Sequence, residues 1–272
     1  MNPSCVRPEE NVGFDEQEMR SPSITPTRRA MVGGAMIASA SALSPAAIRG
    51  SRFAAIAFDA FAVFDPRPIA SRAENFYPGR GAALMELWRS RQFEYAWLRS
   101  LSGRYTDFMH VTEDALVFAA RALGLPLSSD IREGLLQPYL GLGPWPDAAP
   151  VLRRLKAAGV RLALLSNFTP PMLAGAIGTA GLDGVFEQAI STDSARTYKP
   201  DRRAYRLGVD ALALPREQIL FASFAGWDAA GAKAFGYPTF WVNRMRSPPE
   251  ELGAQADGVG YDLAELAAFA VI

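Results

Sequence analysis

The chain has 272 residues, 49% hydrophobic and 21% charged, enough for one large domain or for a core carrying an inserted subdomain. Twenty-eight basic residues balance 28 acidic ones with no long run of like charge. This excludes a polyelectrolyte surface for nucleic acid or anionic lipid and favours a small-molecule partner. A single cysteine, Cys5, and a single histidine, His110, exclude a disulfide framework and a His/Cys metal cluster, so any catalysis runs on carboxylates, Lys, Arg, Ser, Tyr and Asn.

Residues 1–42 read as a leader. In "TPTRRAMVGGAMIASASALSPAA" the pair Arg28 and Arg29 precedes a weakly apolar run from Ala30 to Ala42, the pattern of a twin-arginine export signal. The run is shorter than the roughly 20 apolar residues that a permanent membrane helix needs. Ala40-Ser41-Ala42 supplies a small-x-small cleavage pattern, which predicts a mature start near Leu43 and a periplasmic destination by way of the twin-arginine translocase; Ala38-Ser39-Ala40 is a second candidate. Glu9, Glu10, Asp15, Glu16 and Glu18 carry the wrong charge for the start of a signal, so Met19 is the expected initiator. Cleavage removes Cys5 and leaves a thiol-free chain suited to an oxidising compartment.

Next, "RFAAIAFDAF" is apolar on both faces over a strand's length, as in the central strand of a parallel sheet covered by helices, and it closes on an acid, Asp59. Between Ile69 and Pro144 the segments "GAALMELWRSRQFEYAWLRSLSGRY", "TEDALVFAARALGL" and "SSDIREGLLQPYLGL" are helical in period with no strand among them. Residues 69–144 are therefore expected as an inserted helical cap. His110, in "DFMHVTED" ahead of a cap helix, is assigned a turn or capping role.

Beyond Trp145 strand and helix patterns alternate: "DAAPVLRRLKAAG", "VRLALLSN", "PPMLAGAIGTAGL", "FEQAIST", "DRRAYRLGVDAL", "QILFAS", "WDAAGAKAFG" and "PTFWVN". Strands separated by helices of about 10–15 residues predict an α/β fold, a doubly wound parallel sheet of Rossmann-like type, built from residues 51–68 and 145–272. In such sheets the ligand crevice lies beyond the carboxyl ends of the strands. "FD", "LLSN" and "ILFAS" end three strands there, beneath the cap.

Four motifs thus stand in order: "FDAFAV", "LLSN", "YKPD" and "WDAAGAKAFGYPTFWVNR". Together they resemble the haloacid dehalogenase-like superfamily, from about Phe53 to the end of the chain. The intervening "FYPGRGAALMELWRSRQFEYAWLRSLSGRYTDF" is similar to the cap of L-2-haloacid dehalogenases in particular. The resemblance implies hydrolysis of short (S)-2-haloalkanoic acids to (R)-2-hydroxyalkanoic acids through an aspartyl ester. It places Asp59 as nucleophile, Lys199 as the cation that keeps it ionised, Arg89 as the halide cradle, and Asp228 to orient water or to balance the lysine. Tyr205 and Ser223 would support the lysine and the last acid. Phe61, Phe93, Phe108 and Trp227 would line the pocket, and Ser166 and Asn167, with backbone N–H groups before a helix, would hold the substrate carboxylate. It implies neither metal nor organic cofactor, and as partners the 2-haloacid, water and a second copy in a homodimer.

Three positions depart from that pattern. Val63 stands where the family commonly has Thr, Ala225 in "SFAGWD" where it has Asn, and "VFDPRP" puts Pro66 and Pro68 at the cap hinge, stiffening it. Two rival readings follow. A phosphatase of the same fold needs a second aspartate two residues after the nucleophile, to protonate the leaving group and line a Mg²⁺ site, and Phe61 does neither. An exported binding protein that has lost turnover draws support from Ala225, while Asp59, Arg89, Lys199 and Asp228 argue against it.

Overall fold

A computed structural model describes residues 51–270. In chain order the elements are β1 (Ala55–Phe58), α1 (Ala60–Val63), α2 (Arg67–Phe76), α3 (Gly81–Leu101), α4 (Phe108–Ala122), α5 (Ser129–Leu136), α6 (Ala148–Ala157), β2 (Arg161–Ser166) and α7 (Pro170–Thr179). They continue with β3 (Gln188–Ser191), α8 (Arg202–Leu212), β4 (Ile219–Ser223), α9 (Gly226–Phe235), β5 (Thr239–Val242), β6 (Gly258–Gly260) and α10 (Leu263–Ala270). The six strands form one sheet in the order β3-β2-β1-β4-β5-β6, and every neighbouring pair is parallel. This is the doubly wound α/β sheet expected from the sequence.

The two-residue period of the strands divides the core. Ile56 and Phe58 of β1 join Leu164 of β2 and Leu220 of β4 on one face, where α6 and α10 bring Leu152, Leu155, Leu263 and Leu266. Ala55 and Ala57 join Leu165 and Phe221 on the other, against Tyr205 and Leu212 of α8 and Phe235 of α9. Every residue of β1 is fully buried, which is why the stretch carries no polar residue before Asp59. β6 and α10 escape the sequence reading: "GVG" is only three residues long, and glycine is poor strand material.

Helices α2 to α5 form a block with its own internal bonds. Trp88 Nε1 donates to Thr112 O at 2.7 Å, and Gln92 Nε2 donates to Thr112 Oγ1 at 2.6 Å, both inside the α3/α4 contact. The chain enters and leaves this block side by side: Phe64 and Pro144 form an antiparallel bridge, Asp65 N donates to Gly143 O at 2.8 Å, and Trp145 N donates to Val63 O at 3.0 Å. Pro66 caps α2 and Pro68 lies in its first turn, so both prolines start a helix where no N–H partner is lost. His110 lies in the first turn of α4, exposed, with its Nδ1 against the N-cap carboxylate of Asp107.

Helix α7 meets the end of the block through a glycine. A Cβ added at Gly175 would overlap the carbonyl oxygen of Leu140, whereas one added at Gly178, a turn later, meets nothing within 4 Å. Gly175→Ala is therefore expected to lose about 1–3 kcal/mol of stability by overpacking. Gly178→Ala is expected to gain about 0.5–1 kcal/mol from helix propensity. Urea denaturation of the two variants checks both signs.

Candidate active site

Asp59 stands one residue beyond β1, in the middle of the sheet. Its N–H donates to Ala222 O of β4 at 2.9 Å, and its Oδ2 accepts from Phe61 N at 3.0 Å, capping α1. The cap fixes one carboxylate oxygen without neutralising it. The other oxygen, Oδ1, accepts from Lys199 Nζ at 3.0 Å.

Lys199 lies between β3 and α8, and its side chain is 1% exposed. Nζ also donates to Asp228 Oδ2 at 3.1 Å and sits 4.7 Å from the centre of the Phe221 ring. One ammonium thus serves two carboxylates. Burial works against its charge, but Asp228 and Asp59 together outweigh burial and hold the Lys199 pKa above its ordinary value.

Asp228 belongs to the first turn of α9 and is buried. Burial pushes its pKa up to about 6 against the pull of Lys199, and the charge of Asp59 adds to the rise. Its Oδ1 accepts from the Tyr205 hydroxyl at 2.7 Å. Burial and then the Asp228 charge raise the Tyr205 pKa well above its usual value, so Tyr205 stays a donor. Tyr237 in turn donates to Tyr205 O at 2.7 Å. Ser223 takes a different place from the expected one: its hydroxyl donates to Ala225 O at 2.7 Å and reaches neither Lys199 nor Asp228.

At the end of β2, Ser166 Oγ accepts from Phe168 N at 3.2 Å, and Asn167 Oδ1 accepts from Lys199 N at 3.0 Å and from Thr192 Oγ1 at 3.2 Å. Among the described residues nothing accepts from the Ser166 hydroxyl or from Asn167 Nδ2, so both remain donors for an anion. The following helix adds less than its position suggests. Pro170 and Pro171 open α7 and carry no N–H, and Thr169 caps it by accepting from Met172 N.

Arg89, on α3, makes no hydrogen bond or ion pair among the described residues. Its guanidinium carbon lies 6.0 Å from the ring centres of Phe61 and Phe93 and 5.5 Å from that of Phe224. Burial lowers its pKa, opposed by Tyr139 and by the nearby Asp59, and an arginine remains charged under such a shift. A cation among ring faces with its donors free is a site for a soft anion.

Arg89 also joins two clefts. The larger, about 530 Å³, is walled by Phe93, Trp97, Ala225 and Trp227, and the smaller, about 210 Å³, by Phe61 and Tyr139. Asp59 and Lys199 line neither, and Phe61, in the smaller cleft, donates its N–H to the acid. Phe108 lines neither cleft as well: it packs at 6.0 Å on Phe168 and 5.9 Å on Tyr198, closing the junction between block and sheet.

Two contributors were not singled out in the sequence. Trp97 Nε1 donates to Lys199 O at 3.0 Å. Arg89, Phe93 and Trp97 follow one another at spacings of four on α3, and that helical period is the signal that pointed to it. Arg244 is the other: Nε donates to Ala62 O at 3.1 Å and Nη1 to Asp147 Oδ1 at 2.9 Å, while its carbon lies 4.7 Å from the Trp145 ring, whose Nε1 donates to Phe61 O at 2.9 Å. These bonds hold the carbonyls of the turn that follows Asp59.

The chain is similar to known proteins in both sequence and fold. The chain is 44% identical over 203 residues to the (S)-2-haloacid dehalogenase of Pseudomonas sp. (strain YL), covering 74% of this chain and 88% of that one. The crystal structure of an L-2-haloacid dehalogenase superposes with a TM-score of 0.79 at 42% identity, covering 80% of this chain and 98% of that one. The L-2-haloacid dehalogenase of Xanthobacter autotrophicus, solved with chloropropionic acid covalently bound, gives 0.74 at 34% identity over 80% and 98% of the two chains. The description "haloacid dehalogenase-like hydrolase" matches residues 42–236, a span that runs from ahead of β1 through the lysine to the end of α9. The chain belongs to the haloacid dehalogenase-like hydrolase family.

Proposed function

We propose that this protein hydrolyses short (S)-2-haloalkanoic acids to (R)-2-hydroxyalkanoic acids. The observation that carries the reading is an anionic oxygen near an available cation: Asp59 beside Lys199, and Arg89 among three rings without a hydrogen-bond or ion-pair partner among the described residues. An oxygen of Asp59 attacks C2 from the side opposite the halogen. As the ester C–O bond forms, the carbon–halogen bond breaks and its electron pair leaves with the halide, which Arg89 and the ring edges receive. Ser166 and Asn167 hold the substrate carboxylate. Water gives one proton to Asp228 as it attacks Cγ of the ester; the Cγ–O bond to the substrate then breaks, the departing alkoxide takes that proton from Asp228 to become the product hydroxyl, and the Asp59 carboxyl releases the second water proton to solvent. Tyr205 and Lys199 orient Asp228 for that step, and Phe61, Phe93 and Trp227 keep the site apolar. The name of the relative that shares 44% identity, an (S)-2-haloacid dehalogenase, supports the same chemistry.

Phosphoryl transfer fits less well. Phe61 occupies the second-acid position, and the space between Asp59 and Asp228 is bridged by an ammonium that bonds both carboxylates. A binding protein without turnover draws on Ala225, yet Lys199 Nζ stands at 3.0 and 3.1 Å from Asp59 and Asp228.

We further propose export to the periplasm through the twin-arginine translocase and assembly as a homodimer. The leader residues lie outside the described part of the chain, and their sequence alone supports export. Leu98 and Leu101 of α3, exposed at 59% and 85%, support a second copy packing on that helix.

Purified protein is expected to release halide from (S)-2-chloropropanoate and to form (R)-lactate, read by ion chromatography and chiral separation. Asp59→Asn should release none, and Lys199→Met should lose about a hundred- to a thousandfold in kcat. Undiminished release by Asp59→Asn contradicts the reading. For export, protein recovered from the periplasm should begin near Leu43, and light scattering should give twice the mass of the mature chain. Cytoplasmic protein retaining Arg28 and Arg29, or a monomer, overturns the respective part.

A further inference from the structure

The segment that carries Lys199 is bonded to the helical block at three consecutive residues. Thr197 Oγ1 donates to Ser100 Oγ at 3.4 Å, the Tyr198 hydroxyl donates to Thr106 O, and Lys199 O accepts from Trp97 Nε1 at 3.0 Å. A fourth bond, from the Tyr105 hydroxyl to Asp193 Oδ1, ties the same loop of the block to the turn after β3. The lysine backbone is therefore held at both ends: its N–H by Asn167 of the sheet layer, its carbonyl by Trp97 of the block. Trp97 is itself held between Phe93, at 6.1 Å, and Trp227, at 5.4 Å, so its indole N–H has a fixed direction.

A lysine side chain has a flexible four-carbon stem, and the position of its ammonium depends on where the backbone stands. Here Nζ must lie near 3 Å from two carboxylates at once. A displacement of about 1 Å is enough to cost on the order of a hundredfold in a positioned site. We propose that Trp97 is a positioning residue for Lys199, and that α3, through Trp97 and the bonds beside it, sets where the ammonium stands between Asp59 and Asp228. Trp97 also walls the larger cleft, and its bond to the lysine carbonyl is the contact through which it positions the ammonium. The inference rests on the proposed dehalogenation only for its kinetic readout.

The charged and titratable groups around the lysine are Asp59 after β1, Asp228 on α9 with Tyr205 of α8 behind it, and Arg89 on α3 near Asp59. Lys199 draws the Asp228 pKa down against burial, with the Tyr205 hydrogen bond adding to that pull. Loosening the lysine leaves burial less opposed, so the Asp228 midpoint moves to higher pH.

The test uses two variants of the full chain. Trp97→Phe keeps a ring and removes the donor. Tyr105→Phe opens the connection at a point remote from both clefts that Arg89 joins, and it carries the test if Trp97→Phe does not fold. In protein labelled with ¹³C in the aspartate carboxyl groups, with the Asp228 signal assigned from Asp228→Asn, the wild-type midpoint should lie at about 6 and should rise in both variants. In halide release from (S)-2-chloropropanoate, Trp97→Phe should lower kcat about tenfold, the factor given by about 1.4 kcal/mol in the barrier. KM should stay within about twofold of wild type, and the acid limb of the kcat profile should move to higher pH with the Asp228 midpoint. A midpoint unchanged in the folded variants, or a Trp97→Phe defect confined to KM, overturns the inference. A wild type that releases no halide refutes the proposed function alone, because the carboxyl titration still decides the role of Trp97.

Discussion

The structure turns on one buried ammonium shared by two carboxylates. Asp59 and Asp228 come from different strand ends, and Lys199 Nζ bonds both at 3.0 and 3.1 Å with its side chain 1% exposed. Three charges out of water are costly unless each is paired and hydrogen-bonded. Here the cap of α1, the Tyr205 hydroxyl and the ring of Phe221 supply the remaining contacts. Asp59 and Asp228 against Lys199 and Arg89 leave the site close to neutral when both acids are ionised. An incoming haloacid is then the one uncompensated anion, which suits the free donors of Arg89, Ser166 and Asn167.

The architecture follows from bringing these groups to one edge. A parallel sheet puts the carboxyl ends of its strands on the same side, so β1 and β2 bring Asp59 and Ser166 to one edge, and α9, after β4, adds Asp228 there. The helical block supplies what the sheet lacks, a cation among aromatic rings, and Trp97 connects that block to the lysine. The turn after Asp59 is held separately by Arg244 and Trp145, so nucleophile and lysine are fixed from different directions.

Much of this was legible because it rests on local rules. The fully apolar "AIAF" ending on Asp59 and the alternating strands and helices each carry their own periodicity. What was not legible depends on long-range geometry. Arg89 shares α3 with Arg91 and Arg99, which pair with Glu94 and Asp114; residue type and spacing do not tell these arginines apart, and the resemblance alone singled out Arg89. Ser223 was expected to support the lysine, but its hydroxyl turns to the nearby Ala225 carbonyl. The prolines of "TPP" were in plain view, and their consequence, an α7 start without free N–H groups, went unread. Ala225 caps α9 with no side-chain bond, and here Trp97 and Asn167 hold the lysine backbone.

The most direct measurement of the central claim is the fate of oxygen in a single turnover. With enzyme in excess over (S)-2-chloropropanoate in H₂¹⁸O, water attacks the ester at Cγ, so the label should appear in the peptide containing Asp59 and the lactate should leave with unlabelled hydroxyl oxygen. Label found only in the lactate, with Asp59 unlabelled, would mean that water displaces the halide directly and that the acid beside Lys199 is not the nucleophile.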